Sequence, residues 1–511
     1  MLFNSYEFIF LFLPTVLLVF HMIGRQGHQR VAIAWLVGAS LFFYGWWNPT
    51  YLGLLLFSIL FNYSIGISLN NTHKVVLSKK TLLAIGVSTN LTTLGYFKYA
   101  NFFVDNLNNL AGTNLILQQV ILPLAISFFT FQQIAYLVDA YKGKTKEYNF
   151  LNYCLFITFF PQLIAGPIVH HKEMMPQFVK NTIYKIRSKN LAIGLTIFAL
   201  GLFKKVVLAD GLSDFSMPVF NAAELGITLT FFEAWSGSIA YTLQIYFDFS
   251  GYSDMAIGIA RMFGIRLPIN FNSPYKATSV IDFWRRWHMT LSRFLKHYVY
   301  ITFGGNRKGE VRRHTNIIIT MLLGGLWHGA GWTFVLWGLL HGFYLVINHI
   351  WRSIFKNRVE SKLKIFTSWS VTFLAVVVSW VLFRAESLDS AKNIYLSMLG
   401  VNGISLPTRF KNILNYSWIE KYNIDFNGII GNGIIKDHRE LAVWITASLI
   451  LILVFPNVQQ FIYQRNYKLY NLKFIFIRWS PTLLWIGLTS IILIVSIVTI
   501  SGDSEFIYFN F

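Results

Sequence analysis

One histidine stands where an imidazole can do acid–base chemistry. His328 lies in Gly324-Gly325-Leu326-Trp327-His328-Gly329-Ala330-Gly331-Trp332, inside Thr315–Ile350, a stretch without Asp, Glu, Lys or Arg. Ionisable groups at membrane depth point to function by default. A neutral imidazole there can take a proton from a hydroxyl, and the glycines admit a close backbone or ligand. A structural histidine bonding a carbonyl is the plainer alternative.

His288 is the second candidate, in Asp282-Phe283-Trp284-Arg285-Arg286-Trp287-His288-Met289-Thr290-Leu291-Ser292-Arg293. Read as one amphipathic interfacial helix, this segment puts Arg286, Arg293 and His297 on one edge and Trp284, His288, Leu291 and Leu295 on the opposite, inward face. The strip from Arg285 to Arg313 suits phosphates, such as those of an acyl carrier like coenzyme A. Arg285, Arg286 and Arg293 are its candidate ligands, against the plainer reading of topology signals that meet lipid headgroups. For His341 and His349 a structural or interfacial role is favoured. Asp248 and Asp254 end an apolar span; capping, or pairing with a base such as Arg261, is favoured over a proton route.

Two patterns are set aside. Gly502-Asp503-Ser504 looks like a hydrolase nucleophile motif, with seven residues after it. His170-His171 with Glu173 looks metal-like, but adjacent histidines rarely share an ion and a basic loop repels cations, so no metal is expected.

The elements that must position these residues follow from composition. The 511-residue chain is 55% hydrophobic and 13% charged, against roughly 25% charged in soluble domains. That excludes disorder and an ordinary cytosolic enzyme and indicates a polytopic membrane protein. Cys154 is the single cysteine, which excludes an intrachain disulfide and a cysteine-rich metal site. A net charge of +21 would suggest nucleic acid in a soluble chain. Here the basic residues sit in short loops, where they set topology and meet anionic lipid or an anionic cofactor; nucleic acid is not expected.

Met1–Ile23 has no basic n-region or cleavage site and reads as a first span, followed by cytoplasmic Arg25 and Arg30. Val31–Trp46, Tyr51–Leu69, Thr81–Tyr99 and Ile116–Val138 continue the alternation. Leu151–Val169 holds Pro161 and Gly166-Pro167 and reads as re-entrant. Asn190–Leu208 and Thr228–Phe247 are further spans, though Lys204-Lys205 fits the first poorly. Thr315–Ile350 would be ~54 Å long as one helix at ~1.5 Å per residue, too long for a ~30 Å hydrocarbon core. It must break, at Gly329-Ala330-Gly331. Phe366–Phe383, Leu441–Phe455 and Thr482–Ile500 complete about ten crossings around an external loop near 384–439, in one membrane domain covering 1–511.

Several of these motifs are familiar together. Leu122-Pro123-Leu124-Ala125-Ile126-Ser127-Phe128-Phe129-Thr130-Phe131-Gln132, Phe160-Pro161-Gln162-Leu163-Ile164-Ala165-Gly166-Pro167, Tyr246-Phe247-Asp248-Phe249-Ser250-Gly251-Tyr252-Ser253-Asp254, the His288 and His328 segments and Glu505-Phe506-Ile507-Tyr508-Phe509 resemble the membrane-bound O-acyltransferase (MBOAT) family, in particular its bacterial alginate and peptidoglycan O-acetyltransferase branch. The resemblance covers nearly the whole length. It implies an all-α fold with a ring of about ten transmembrane helices, re-entrant segments and amphipathic cytoplasmic helices. It implies that His328 is the catalytic histidine and His288 the second motif histidine. The expected activity is transfer of acetyl from a cytoplasmic donor, acetyl-CoA, to an extracytoplasmic glycan through a secreted or membrane-anchored partner acetyltransferase of the SGNH type. No permanently bound cofactor is expected. For Tyr508 an anchoring aromatic is favoured over an onward acetyl carrier. The other classes are a transporter of a lipid-linked glycan, a non-catalytic scaffold for the secreted transferase, and D-alanyl transfer to teichoic acid, whose enzyme is similar around His288 and His328.

Overall fold

The computed structural model describes residues 1–70, 77–145, 149–355, 361–411, 424–428, 433–435, 437–463, 479–501 and 506–507. Gly502-Asp503-Ser504 and Tyr508 lie outside the described residues. The elements in chain order are α1 (Leu13–Arg25), α2 (Gln29–Gly45), α3 (Thr50–Asn70), α4 (Lys79–Ala111), α5 (Ile126–Tyr141), α6 (Phe150–Thr158), α7 (Phe160–Leu163), α8 (His171–Phe178), α9 (Ser188–Phe203), α10 (Asp210–Glu224), α11 (Phe231–Met262), α12 (Val280–Trp284), α13 (Met289–Phe294), α14 (Gly309–His328), α15 (Trp332–Ile354), α16 (Lys362–Arg384), α17 (Leu388–Met398), β1 (Ile404–Ser405), β2 (Ile424–Asp425), α18 (His438–Val454), α19 (Val458–Tyr463) and α20 (Leu483–Val498). Among the described residues the fold is helical apart from one two-residue parallel pairing of β1 with β2, inside the loop expected to be external.

Among the described residues six helical segments are long and apolar enough to cross a membrane: Glu7–Arg25, Thr50–Asn70, Ser188–Glu224, Trp332–Ile354, Lys362–Arg384 and His438–Tyr463. Large apolar side chains such as Phe10, Leu11, Leu18, Ile486 and Val498 stand exposed on the helices, the arrangement expected of a surface solvated by lipid tails.

The contacts divide the chain into two compact units. The first comprises Met1–Phe203, Gly251–Asn270 and Val458–Asn510. Its core includes the rings of Phe8, Phe12, Phe43 and Phe160. A buried amide pair joins α3 to α4, with Asn90 Nδ2 donating to Asn62 Oδ1 at 2.6 Å. Such polar pairs tie helices together where lipid gives no hydrophobic drive. Glycines bring α9 against the end of α11: a Cβ on Gly201 would lie 2.7 Å from the Gly251 oxygen, and one on Gly258 2.7 Å from the Gly194 oxygen. Every residue from Tyr153 to His171 is buried. That satisfies the condition for irregular backbone at depth, since Leu151–Val169 does break, between α6 and α7, with Pro161 in the first turn of α7.

The second unit comprises Lys204–Ser250 and Phe271–Asn457 and contains both candidate histidines. Its centre is the hairpin of α14 and α15. A Cβ on Gly325 would lie 2.2 Å from the Phe334 oxygen, and one on Gly338 2.5 Å from the Met321 oxygen, so the two helices meet at backbone distance.

Four expectations are corrected. Ile116–Val138 is not one helix: α5 starts only at Ile126, because Pro123 lacks a donor and Ala125 takes φ 62°. The span expected to end at Leu208 runs on through a π-helical turn, Lys204–Ala209, into α10. Asp248 and Asp254 lie inside the 32-residue α11, not at its end as caps. The interfacial helix Asp282–Arg293 is interrupted, as described below.

Candidate functional site

His328 is the last residue of α14, and the chain breaks where the sequence places the break. The Gly329 N–H still reaches the Gly325 oxygen, so the helix ends on its own last turn. His328 is 3% exposed. Its ring lies edge-on to Trp337 of α15 at 5.1 Å and Phe383 of α16 at 5.0 Å. Three helices therefore hold one imidazole, and neighbouring Trp327 covers it at 4.8 Å.

His288 is fully buried, as its expected inward face requires. The means differ from those expected. The segment splits into α12 and α13, and His288 itself sits at the junction with φ 40° and ψ 54°. A non-glycine residue with positive φ is uncommon and marks a constrained position. The Ser279 hydroxyl starts α12 by accepting from the Asp282 N–H. The His288 ring packs edge-on against Phe249 of α11 at 4.8 Å and against Trp327 at 5.9 Å. The two histidines thus flank the same indole. Burial pushes the His288 imidazole down to about 3, which holds it neutral.

His341, expected to be structural, completes the cluster. It is fully buried one helical turn beyond Trp337, with ring centroids 4.8 Å apart. The Trp284 indole donates to its Nδ1 at 3.2 Å. That bond assigns the proton to Nε2 in a neutral ring. His341 Nε2 and the Trp337 Nε1 are buried without an acceptor among the described residues. Sequence reasoning gave His341 a structural role and did not single out Trp337; only the i, i+4 spacing on α15 hints that they share a face.

The basic strip rearranges in three dimensions. Arg286 Nε pairs with Asp282 at 2.9 Å. Arg285 is exposed at the end of α12, and Arg293 lies half-buried on α13. Arg286 also lies near Lys276, whose ammonium burial and that charge push down to about 8; Lys276 donates to the Phe455 oxygen at 2.7 Å.

Lys205, unexplained in sequence, has a clear role. Its ammonium, 4% exposed, lies 2.8 Å from Asp210 Oδ1 and 2.8 Å from Asp248 Oδ1. The π-helical turn rotates Lys205 inward between them. Asp248 therefore does pair with a base, Lys205, and Asp254, for which Arg261 was the base considered, accepts from Gln459 Nε2 at 3.1 Å. Asp248 directly precedes Phe249, the ring that abuts His288.

With a buried imidazole at a helix break and a second imidazole across one indole described, the chain can be compared with known proteins. The model of the membrane-bound O-acyltransferase family, MBOAT, matches residues 73–384. The chain belongs to the MBOAT family. It is 41% identical to a peptidoglycan O-acetyltransferase of Helicobacter pylori, over 100% of this chain and 98% of that one. It is 41% identical to a probable alginate O-acetylase AlgI of Azotobacter vinelandii, over 78% of each chain. A teichoic acid D-alanyltransferase of Streptococcus thermophilus is 29% identical over 51% of this chain and 68% of its own. This MBOAT protein is thus a multi-pass membrane O-acyltransferase.

Proposed function

We propose that this MBOAT protein moves acetyl from cytoplasmic acetyl-CoA through the membrane for O-acetylation of an extracytoplasmic polysaccharide, peptidoglycan or an alginate-like exopolysaccharide. A secreted or membrane-anchored SGNH-type transferase completes delivery. The similarity along the full length to a peptidoglycan O-acetyltransferase supports the acyl group and the glycan class. In this reading the chain is one membrane domain with about ten crossings.

His328 is the general base. It takes the proton of an acceptor or relay hydroxyl as that oxygen attacks the thioester carbonyl carbon. The new C–O bond forms, the carbonyl electron pair moves to oxygen and returns, the C–S bond breaks, and the thiolate leaves and is protonated. His288, neutral and fixed at its junction, orients the thioester or polarises its carbonyl. The observation that carries the proposal is the placement of His328, buried against Trp337 and Phe383 at the break between α14 and α15. Desolvation and the fixed rings give a base held at one point and shielded from bulk water.

The test is His328→Ala in cells. Glycan O-acetylation is expected to fall about 10²–10⁴-fold, the usual worth of a positioned base, while the protein level holds. Normal acetylation with the variant would overturn the proposal and favour a scaffold.

A further inference from the structure

The end of α10 and the start of α17 enclose a cavity of about 330 Å³, wholly inside the second unit. Its lining is polar. Glu224, Asp389, Lys392, Asn393 and Asn402 face it, with Ser387 at the N-cap of α17. The volume falls at the small end of the ~300–1,000 Å³ range of ligand sites. Several lining groups hold one another in place. The Ser387 hydroxyl donates to Glu224 Oε2 at 3.1 Å, and Asn393 Nδ2 donates to the Ile227 oxygen at 2.9 Å. Asn402 Nδ2 donates to Asn393 Oδ1 at 3.2 Å and to Ser397 Oγ at 2.8 Å. Asn402 Oδ1 and the Glu224 and Asp389 carboxylates remain as acceptors, and the Lys392 ammonium as a donor. Among the described residues neither Asp389 nor Lys392 forms an ion pair.

These groups select by chemistry. Two carboxylates repel a compact anion, and Lys392 repels a bare cation. Among the described residues no three acidic, histidine or cysteine side chains gather to hold a metal ion. No tryptophan, tyrosine or arginine lines the cavity, so it lacks the anchors that carry most protein–protein binding energy. A ligand without dense charge, offering hydroxyl donors and acceptors at short spacing, satisfies all of these conditions. We propose that the cavity between α10 and α17 is a saccharide site that holds a sugar residue of the acceptor glycan. The acetyl-transfer reading supplies the glycan on which this proposal rests. The position suits that role. α16 begins with Lys362 and Lys364 and ends with Phe383 against His328. With its lysine end cytoplasmic, the opposite end faces the side from which an extracytoplasmic acceptor arrives. Four residues of chain separate Phe383 from Ser387, a reach of at most ~14 Å at ~3.3–3.6 Å per residue. The cavity therefore lies close to the ring that packs on the base, and a glycan held there stays near it.

The experiment uses the full chain in nanodiscs. Wild type is compared with the double substitution Asp389→Ala with Lys392→Ala, both exposed on α17, and with Lys308→Gln as a charge control away from the cavity. Binding of two probes is measured by calorimetry: a tetrasaccharide of alternating N-acetylglucosamine and N-acetylmuramate, and a mannuronate tetrasaccharide. Acetyl-CoA cleavage and capture of a purified SGNH-type transferase are read alongside. Wild type is expected to bind at least one tetrasaccharide. The double substitution should weaken that binding about 10- to 100-fold, the scale of one or two charge-assisted hydrogen bonds, and leave acetyl-CoA cleavage within about twofold of wild type. Lys308→Gln should match wild type. The proposal is overturned if wild type binds neither tetrasaccharide, or if the double substitution binds as wild type does. Lost capture of the transferase with saccharide binding intact would also overturn it and make the cavity a docking surface for a protein. Failure of wild type to cleave acetyl-CoA would sink the acetyl-transfer reading instead, and the tetrasaccharide measurements would still decide the saccharide site.

Discussion

Lys205→Met removes the cation from a buried charge cluster, and the structure says how much that costs. The ammonium is shared at 2.8 Å by Asp210 and Asp248. Asp210 is about a quarter exposed and can find water, whereas Asp248 is 1% exposed. The loss therefore falls mainly on Asp248, left charged in a dry interior or forced to take up a proton. Breaking a buried pair at one partner costs about 3–5 kcal/mol. That is roughly two to three and a half orders of magnitude in the folding equilibrium. Adding Asp248→Leu removes the orphaned carboxylate as well, and replacing both partners by apolar groups is often near neutral. The double variant is thus expected to regain most of the loss. The assay is reversible unfolding in mixed detergent–lipid micelles, run as a double-mutant cycle and expected to show a coupling of at least about 2 kcal/mol. Thioester cleavage is read alongside, since Asp248 holds the turn of α11 that presents Phe249 to His288. A Lys205→Met cost below about 1 kcal/mol, or a double variant as unstable as the sum of the singles, would refute the electrostatic account.

Two further outcomes follow from backbone geometry and capping. His288 sits at φ 40°, which costs an L-residue roughly 1–2 kcal/mol and glycine almost nothing. His288→Gly should therefore unfold at higher temperature than His288→Ala, while both lose thioester cleavage; equal stability of the two would mean the backbone relaxes. Asp437 caps α18, its Oδ1 accepting from the Arg439 and Glu440 N–H groups at 2.8 and 3.1 Å. Those two bonds hold its carboxyl below the ordinary value of 3.8. Because the folded value is the lower one, the cap stabilises fully above about pH 4 and is lost as pH falls through the folded value. Amide exchange at Arg439 and Glu440 should accelerate relative to the middle of α18 below that point in the wild type, and Asp437→Ala should abolish the difference.

Much of the candidate site's local structure follows from the sequence. An uncharged stretch too long for one crossing had to break, and Gly329-Ala330-Gly331 was the place where helix propensity fails; α14 ends at His328 and α15 begins at Trp332. The inward face of His288 followed from periodicity. The interruption at His288 did not, because positive φ at a histidine is imposed by packing against Phe249 and Trp327 rather than by local propensity. Ile116–Val138 misled for the opposite reason: an apolar run carries no length signal once Pro123 and the turn at Ala125 intervene.

The amino-acid sequence alone determined the class of molecule, the helices of the α14–α15 hairpin and the two histidines, since hydrophobic runs, missing charges and glycines act locally. Tertiary structure decided who partners whom. Lys205 looked misplaced until Asp210 and Asp248 closed around it, and Arg313 and His349, 36 residues apart in the chain, meet at 2.6 Å. Charge compensation is a matter of distance through space, and distance through space is what a one-dimensional pattern does not carry.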